Sequence, residues 1–176
     1  LFSDEVLTHM SKYTWLLDPG HGGIIDGVYQ TAGKRSPGFP DGSTLFEGEF
    51  NRDIVSRIMK LTSGWAPGRH RTHYRLHAVD TINLVDTEED MPLRTRVKKA
   101  NAIHREKGNC IYVSVHANAF GNGQEFNSAK GICSFHHYRS KDGKRLAEVL
   151  QRWLGDLTSF RDRGVLSNDR WANFYV

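Results

Sequence analysis

Apolar positions along this chain alternate between short continuous runs and longer stripes at helical spacing. Tyr13 to Leu17 is a short apolar run that stops at Asp18-Pro19-Gly20, which predicts a buried strand entering a turn. From Gly20 to Gly42 the period lapses into Gly, Pro and Ser, so a long loop is expected, of a kind uncommon without a function. From about Thr44 to Leu61, Phe50, Ile54, Ile58 and Leu61 recur on one helical face, with Val55 and Met59 widening it. Ser63-Gly64 and Pro67-Gly68 end that helix.

Arg71 to Val79 alternates, with His73, Arg75 and His77 on one side, and reads as a half-exposed strand. A second helix is predicted from about Pro92 to Lys107, capped by Asp90 and stopped by Gly108, with Leu93, Val97, Ala100 and His104 on one face. Ile111 to Val115 is the cleanest buried strand, and Gly131 to Tyr138 is another. A third helix spans about Lys141 to Leu157, its apolar stripe formed by Leu146, Leu150, Trp153 and Leu157. The tail from Thr158 to Val176 reads as loop residues closing on Phe174-Tyr175-Val176. This order predicts an α/β fold, a mostly parallel sheet with helices on both faces, in one domain over residues 1–176.

Composition changes this picture little. The 38% hydrophobic and 25% charged content is that of a soluble globular protein. No window approaches the roughly 18 apolar residues of a membrane span, so no transmembrane segment is expected. No signal-peptide pattern is visible, and a start at Leu1 suggests a processed or trimmed chain. The net charge of +4 favours an anionic polymer such as cell wall or nucleic acid, though a solvated surface with extra lysines explains it equally. The basic segment Arg69 to Arg75 carries no nucleic-acid-binding motif, so nucleic acid is not an expected partner. Cys110 and Cys133 lie in apolar stretches without a second Cys at ligand spacing, so free buried thiols are expected, or a pair if their strands adjoin.

Three potential metal ligands stand out. His21, in Gly20-His21-Gly22, follows the first strand, and His116, in Val115-His116-Ala117, follows the third. Sites in open α/β sheets form beyond the carboxyl ends of strands, and neighbouring parallel strands would bring the two together. Glycines flanking His21 permit a sharp turn and leave room at the imidazole, but a surface turn alone would also explain them. Glu47 is the third candidate. Thr44-x-x-Glu47 is also a capping-box pattern, which locally favours a helix cap over a ligand, and Glu49 competes two residues on. Two His and one Glu suit a catalytic zinc, leaving a fourth position open. Of the remaining histidines, His73 and His77 are too far apart on a strand to share a metal, His136 and His137 point to opposite faces, and His104 is read as a core or boundary residue.

Several segments together carry a resemblance. Leu16-Leu17-Asp18-Pro19-Gly20-His21-Gly22-Gly23, Glu47-Gly48-Glu49-Phe50-Asn51, Leu93 to Arg96 with Ala100-Asn101, and Ser114-Val115-His116-Ala117-Asn118 occur in that order. They resemble the motifs of the zinc N-acetylmuramoyl-L-alanine amidases, a cell-wall amidase family of bacteria and phages. The resemblance selects Glu47 over Glu49. It implies a twisted α/β sheet and one zinc ion held by His21, Glu47 and His116. It also implies peptidoglycan as partner, cleavage of the bond from the lactyl group of N-acetylmuramic acid to L-alanine, and a periplasmic, extracellular or phage-endolysin setting. A zinc peptidase acting on the stem peptide, or a wall-binding form without activity, are the alternatives. The family also carries a catalytic Glu on a final strand. No glutamate follows Glu148 here, so the chain is read either as a fragment lacking its C-terminal strand or as a version without the usual general base, and the catalytic base is left unassigned.

Overall fold

A computed structural model of the chain describes residues 12–63, 79–118 and 123–168. The elements, in order, are β1 (Thr14–Pro19), β2 (Ile24–Ile25), β3 (Val28–Tyr29), α1 (Glu47–Thr62), β4 (Thr81–Asn83), α2 (Leu93–Lys107), β5 (Cys110–Val115), β6 (Ile132–His137), α3 (Lys141–Leu157) and β7 (Asp162–Asn168). Backbone contacts group them into two compact units, residues 1–118 and 119–176. The expected strand over Arg71 to Val79 falls almost wholly outside the described residues, as do His9, His70, His73, His77 and the end of the tail.

In the first unit, β1 lies between β4 and β5, and both pairings are parallel. The chain leaves β1 through α1 to one side, then crosses through α2 to the other. Right-handed crossovers in opposite directions put the two helices on opposite faces. The packing agrees. Leu16, Ile82 and Tyr112 share a face by register, and they pack with Ala100 and Ile103 of α2. Leu17 points the other way, and α1 packs against β1 and β4. β1 is thus buried on both sides, as a central parallel strand should be. It runs two residues past the expected stop at Leu17, because Asp18 and Pro19 keep their register with Ser114 and Val115.

The helices form where the periodicity places them, but their buried stripes are rotated. In α1 the buried residues are Glu47, Gly48, Asn51 and Val55, whereas Phe50 and Leu61 are exposed. In α2 they are Arg96 and Ala100, while Leu93 and His104 are exposed, so His104 is not a core or boundary residue. Polar side chains drive both rotations, since Asn51 and Arg96 turn inward to bond backbone carbonyls. Asp90 does not cap α2. Pro92 holds that position, and Asp90 accepts from Thr31 at 2.8 Å instead.

The loop after His21 contains a hairpin, β2 and β3, turning on Asp26 and Gly27 with φ of 50° and 78°. Positive φ at both central residues is the two-residue turn that an Asp-Gly pair favours. In the second unit, β6 and β7 pair in parallel, so residues 162–168 of the expected loop-like tail are a strand. Gln151 of α3 bonds Ser134, the Ile132 carbonyl and Asp162, which turns the Ala147–Gln151 side inward. Trp153 and Leu157, expected on the buried stripe, are exposed. Cys110 and Cys133 are both free and half-buried.

Leu16 is 1% exposed at the centre of the α2-side core. Leu16→Ala is expected to lower unfolding free energy by about 2–5 kcal/mol in a denaturant titration; a loss under roughly 1 kcal/mol would contradict this packing.

Candidate metal centre

The site grows from the ends of β1 and β5. These neighbours stop together, Pro19 opposite Val115, and the Gly20 N–H continues the pairing to the Val115 carbonyl at 3.0 Å. His21 and His116 therefore emerge side by side, at the point where the crossovers diverge. Their rings meet edge to face with centroids 5.0 Å apart. A Cβ on Gly20 would overlap the His116 imidazole, so glycine is what lets that ring lie against the turn.

Glu47 enters from α1. It is the first residue of the helix, with Phe46 at the cap position making no side-chain cap bond. The capping box that Thr44 and Glu47 could have formed is absent. Instead, Glu47 Oε1 lies 3.3 Å from His21 Nε2 and 3.1 Å from His116 Nδ1, and accepts the Ala117 N–H at 3.1 Å. Close approach of α1 to the turn requires Gly48, where a Cβ would overlap the Gly22 carbonyl. Tyr29 helps to seat this helix start, its hydroxyl accepting the Gly48 N–H and donating to the Lys34 carbonyl, both at 2.9 Å. Glu49 is exposed and stands apart from the trio.

Burial of Glu47 would raise its carboxyl pKa. Hydrogen bonds from His116 and then His21, with the charge of those rings, outweigh burial and hold it at about 2, below its ordinary 4.5.

The turn carrying His21 is held from behind. His21 has φ of 68°, a left-handed conformation that costs a non-glycine residue about 1–3 kcal/mol. Each of three successive carbonyls is bonded. Arg96 Nη1 donates to Pro19 at 2.6 Å, Asn51 Nδ2 to Gly20 at 3.0 Å, and Arg52 Nη1 to His21 at 2.8 Å. Arg96 also reaches the His21 carbonyl at 3.3 Å. Arg96 is itself 2% exposed and pairs with Asp18, 0% exposed, at 2.5 Å. Tyr112 and Ser114 donate to the other Asp18 oxygen. Burial and the Asp18 charge push the Tyr112 hydroxyl up, keeping it a donor. Asp18, Asn51, Arg52 and Arg96 were not singled out as site residues by sequence reasoning. The available signal was a polar or charged residue among the apolar positions of each element.

The three side chains form a donor set with ligand atoms all within 4.8 Å of one another. Two imidazole nitrogens and a carboxylate oxygen suit a zinc ion with an open position. Atoms about 2.0–2.1 Å from a tetrahedral ion lie roughly 3.3 Å apart, and the carboxylate oxygen is 3.3 Å and 3.1 Å from the two nitrogens. The carboxylate oxygen thus stands at ligand spacing from each nitrogen, and the donor types suit such an ion. Glu47 is buried while His116 is the most exposed of the three, so the site opens on the His116 side.

The sequence profile of a family described as N-acetylmuramoyl-L-alanine amidase matches residues 16–176. The N-acetylmuramoyl-L-alanine amidase LytC of Bacillus subtilis (strain 168) is 28% identical over 167 residues, covering 93% of this chain and 26% of that protein. The chain thus spans about a quarter of the length of that relative. The crystal structure of N-acetylmuramoyl-L-alanine amidase from Clostridium difficile 630 matches with TM-score 0.63 and 25% identity, over 93% of this chain and 71% of that one. The N-acetylmuramoyl-L-alanine amidase AmiC2 of Nostoc punctiforme shares the fold, with TM-score 0.63 and 23% identity, over 94% of this chain and 73% of that one.

Because the Glu47 carboxyl is held below its ordinary value, its contribution to stability is present above pH 4.5 and is lost as pH falls toward about 2. Metal-free Glu47→Gln is expected to show a shallower loss of stability over that window in pH-dependent thermal unfolding. Identical acid limbs for the two proteins would contradict the assignment.

Proposed function

We propose, because this chain belongs to the N-acetylmuramoyl-L-alanine amidase family, that it hydrolyses the amide joining the lactyl group of N-acetylmuramic acid to L-alanine of the peptidoglycan stem peptide, with one zinc ion held by His21, Glu47 and His116. The juxtaposition of those three donors at the carboxyl ends of β1 and β5 is the observation that carries the reading. When bound, zinc supplies Lewis-acid polarisation of a carbonyl and makes hydroxide accessible near neutral pH, which suits cleavage of an unactivated amide.

The chain's own residues bind and orient. His21 and His116 present ring nitrogens from adjacent strand ends. Glu47 brings a carboxylate from the opposite wall and is fixed there by the Ala117 N–H. The glycines at 20 and 48 let the helix start and the His116 ring close on the turn. The open side at His116 gives the substrate carbonyl its approach. Hydrolysis breaks the C–N bond, with the hydroxyl of a water going to the lactyl carbonyl carbon and its proton to the leaving amine of L-alanine. The substrate places the work at the cell wall, in the periplasm or outside the cell, and the net charge of +4 favours encounter with an anionic wall. Among the described residues no helix is long and apolar enough to cross a membrane.

Two measurements test the reading. Digestion of purified sacculi with the zinc-loaded protein, followed by mass spectrometry, should release intact stem peptides starting at L-alanine and leave glycan strands whole. Shortened stem peptides would mark a peptidase, and wall binding without release would mark a binding module. Separately, wild-type protein should retain about one zinc per chain after gel filtration and His21→Ala/His116→Ala about none. Equal zinc content in the two would sink the ligand assignment.

A further inference from the structure

We propose that Arg52 is a positioning residue that holds the His21 turn in its left-handed conformation and thereby sets the metal affinity of the trio. The inference rests on the zinc reading above. Arg52 lies in α1, and its side chain is 13% exposed. Its donors converge on three chain segments. Nη1 donates to the His21 carbonyl at 2.8 Å and the Gly48 carbonyl at 3.3 Å, and Nη2 donates to the Thr87 carbonyl at 2.8 Å. Nε pairs with the Glu88 carboxylate at 3.0 Å. One cation thus joins the start of α1, the ligand-bearing turn and the segment at 87–88.

That segment cradles the same turn. The Glu88 carbonyl accepts the Gly23 N–H at 2.8 Å, and a Cβ on Gly23 would overlap the Glu88 carboxylate. Across the turn, the Gly22 N–H donates to Thr31, which donates in turn to Asp90. The physical need is specific. The left-handed region is disfavoured for a residue with a Cβ, so a bond that fixes the following peptide helps to keep it there, and the His21 carbonyl belongs to that peptide. Arg96 reaches the same oxygen, but at 3.3 Å and while committed to Asp18 and Pro19. Arg52 makes the shorter bond. If it is lost, the His21 ring is free to swing away from Glu47 while the core beneath, built on Leu16 and Leu84, is left intact.

The test compares wild type, Arg52→Gln, Arg52→Lys and Glu88→Gln. Zinc affinity is measured by competition with a chromophoric chelator, and thermal unfolding and amide hydrogen exchange are measured on metal-free protein. Arg52→Gln should weaken zinc binding about 10- to 100-fold, the usual effect of removing an outer partner of a metal ligand. It should also speed exchange at Gly22 and Gly23 about tenfold or more, with β1 amides and melting temperature little changed. Arg52→Lys should recover part of the affinity. Glu88→Gln leaves the carbonyl bonds in place and should stay within roughly threefold of wild type. Wild-type exchange at Gly22 and Gly23 in Arg52→Gln would overturn the proposal. So would an affinity loss accompanied by equal loosening of β1, which would make Arg52 a general staple. Wild-type protein that takes up no zinc would instead overturn the metal reading, and the exchange comparison alone would then decide whether Arg52 holds the turn.

Discussion

The ion pair between Asp18 and Arg96 is the contact on which the rest of the site depends. Both side chains are removed from water, and a buried charge left alone destabilises a fold by about 3–5 kcal/mol. The pair is therefore surrounded by further hydrogen-bond partners. Tyr112 and Ser114 complete the carboxylate, while the carbonyls of Met91, Pro19 and His21 complete the guanidinium. Two of those carbonyls belong to the turn that carries His21. Satisfying the buried charge and fixing the turn are one set of bonds.

From that base the site follows by topology. β1 and β5 are neighbours because the chain crosses back over β1 after β4, and α1 and α2 take opposite faces for the same reason. The opening between the crossovers lies where His21 and His116 emerge. Helix α1 delivers Glu47 into that opening, and α2 delivers Arg96 beneath it. A histidine in the left-handed region is an expense borne at a functional site, and here it is met by Asn51, Arg52 and Arg96 acting on consecutive carbonyls.

Much of this was legible in the residues. Short apolar runs at 13–17 and 111–115 marked two strands that pair in parallel, and helical spacing marked α1, α2 and α3. The position of His21 and His116 after two strands predicted their meeting. What periodicity missed was polar. It placed Phe50 and Leu93 inward, whereas hydrogen bonding turned Asn51 and Arg96 inward instead. Hydrophobicity cannot weigh a side chain whose burial depends on backbone carbonyls far away in sequence. Glu47 was equally undecidable locally, since a cap and a ligand use the same residue at the same helix position. The Asp26-Gly27 hairpin was readable in principle, as that dipeptide is a strong turn signal. Strand β7 was not, because Asp162 to Asn168 has only Val165 and Leu166 as apolar residues and so shows no strand pattern.

One arrangement is central to the proposed function: a donor trio preset by the buried pair beneath it. Anomalous diffraction at the zinc edge, on crystals of the zinc-loaded protein, addresses it directly. The expected result is one strong peak about 2.0–2.2 Å from nitrogens of His21 and His116 and an oxygen of Glu47, with φ at His21 still positive. A peak held by other residues, or a His21 that has left the left-handed region to bind, would contradict it.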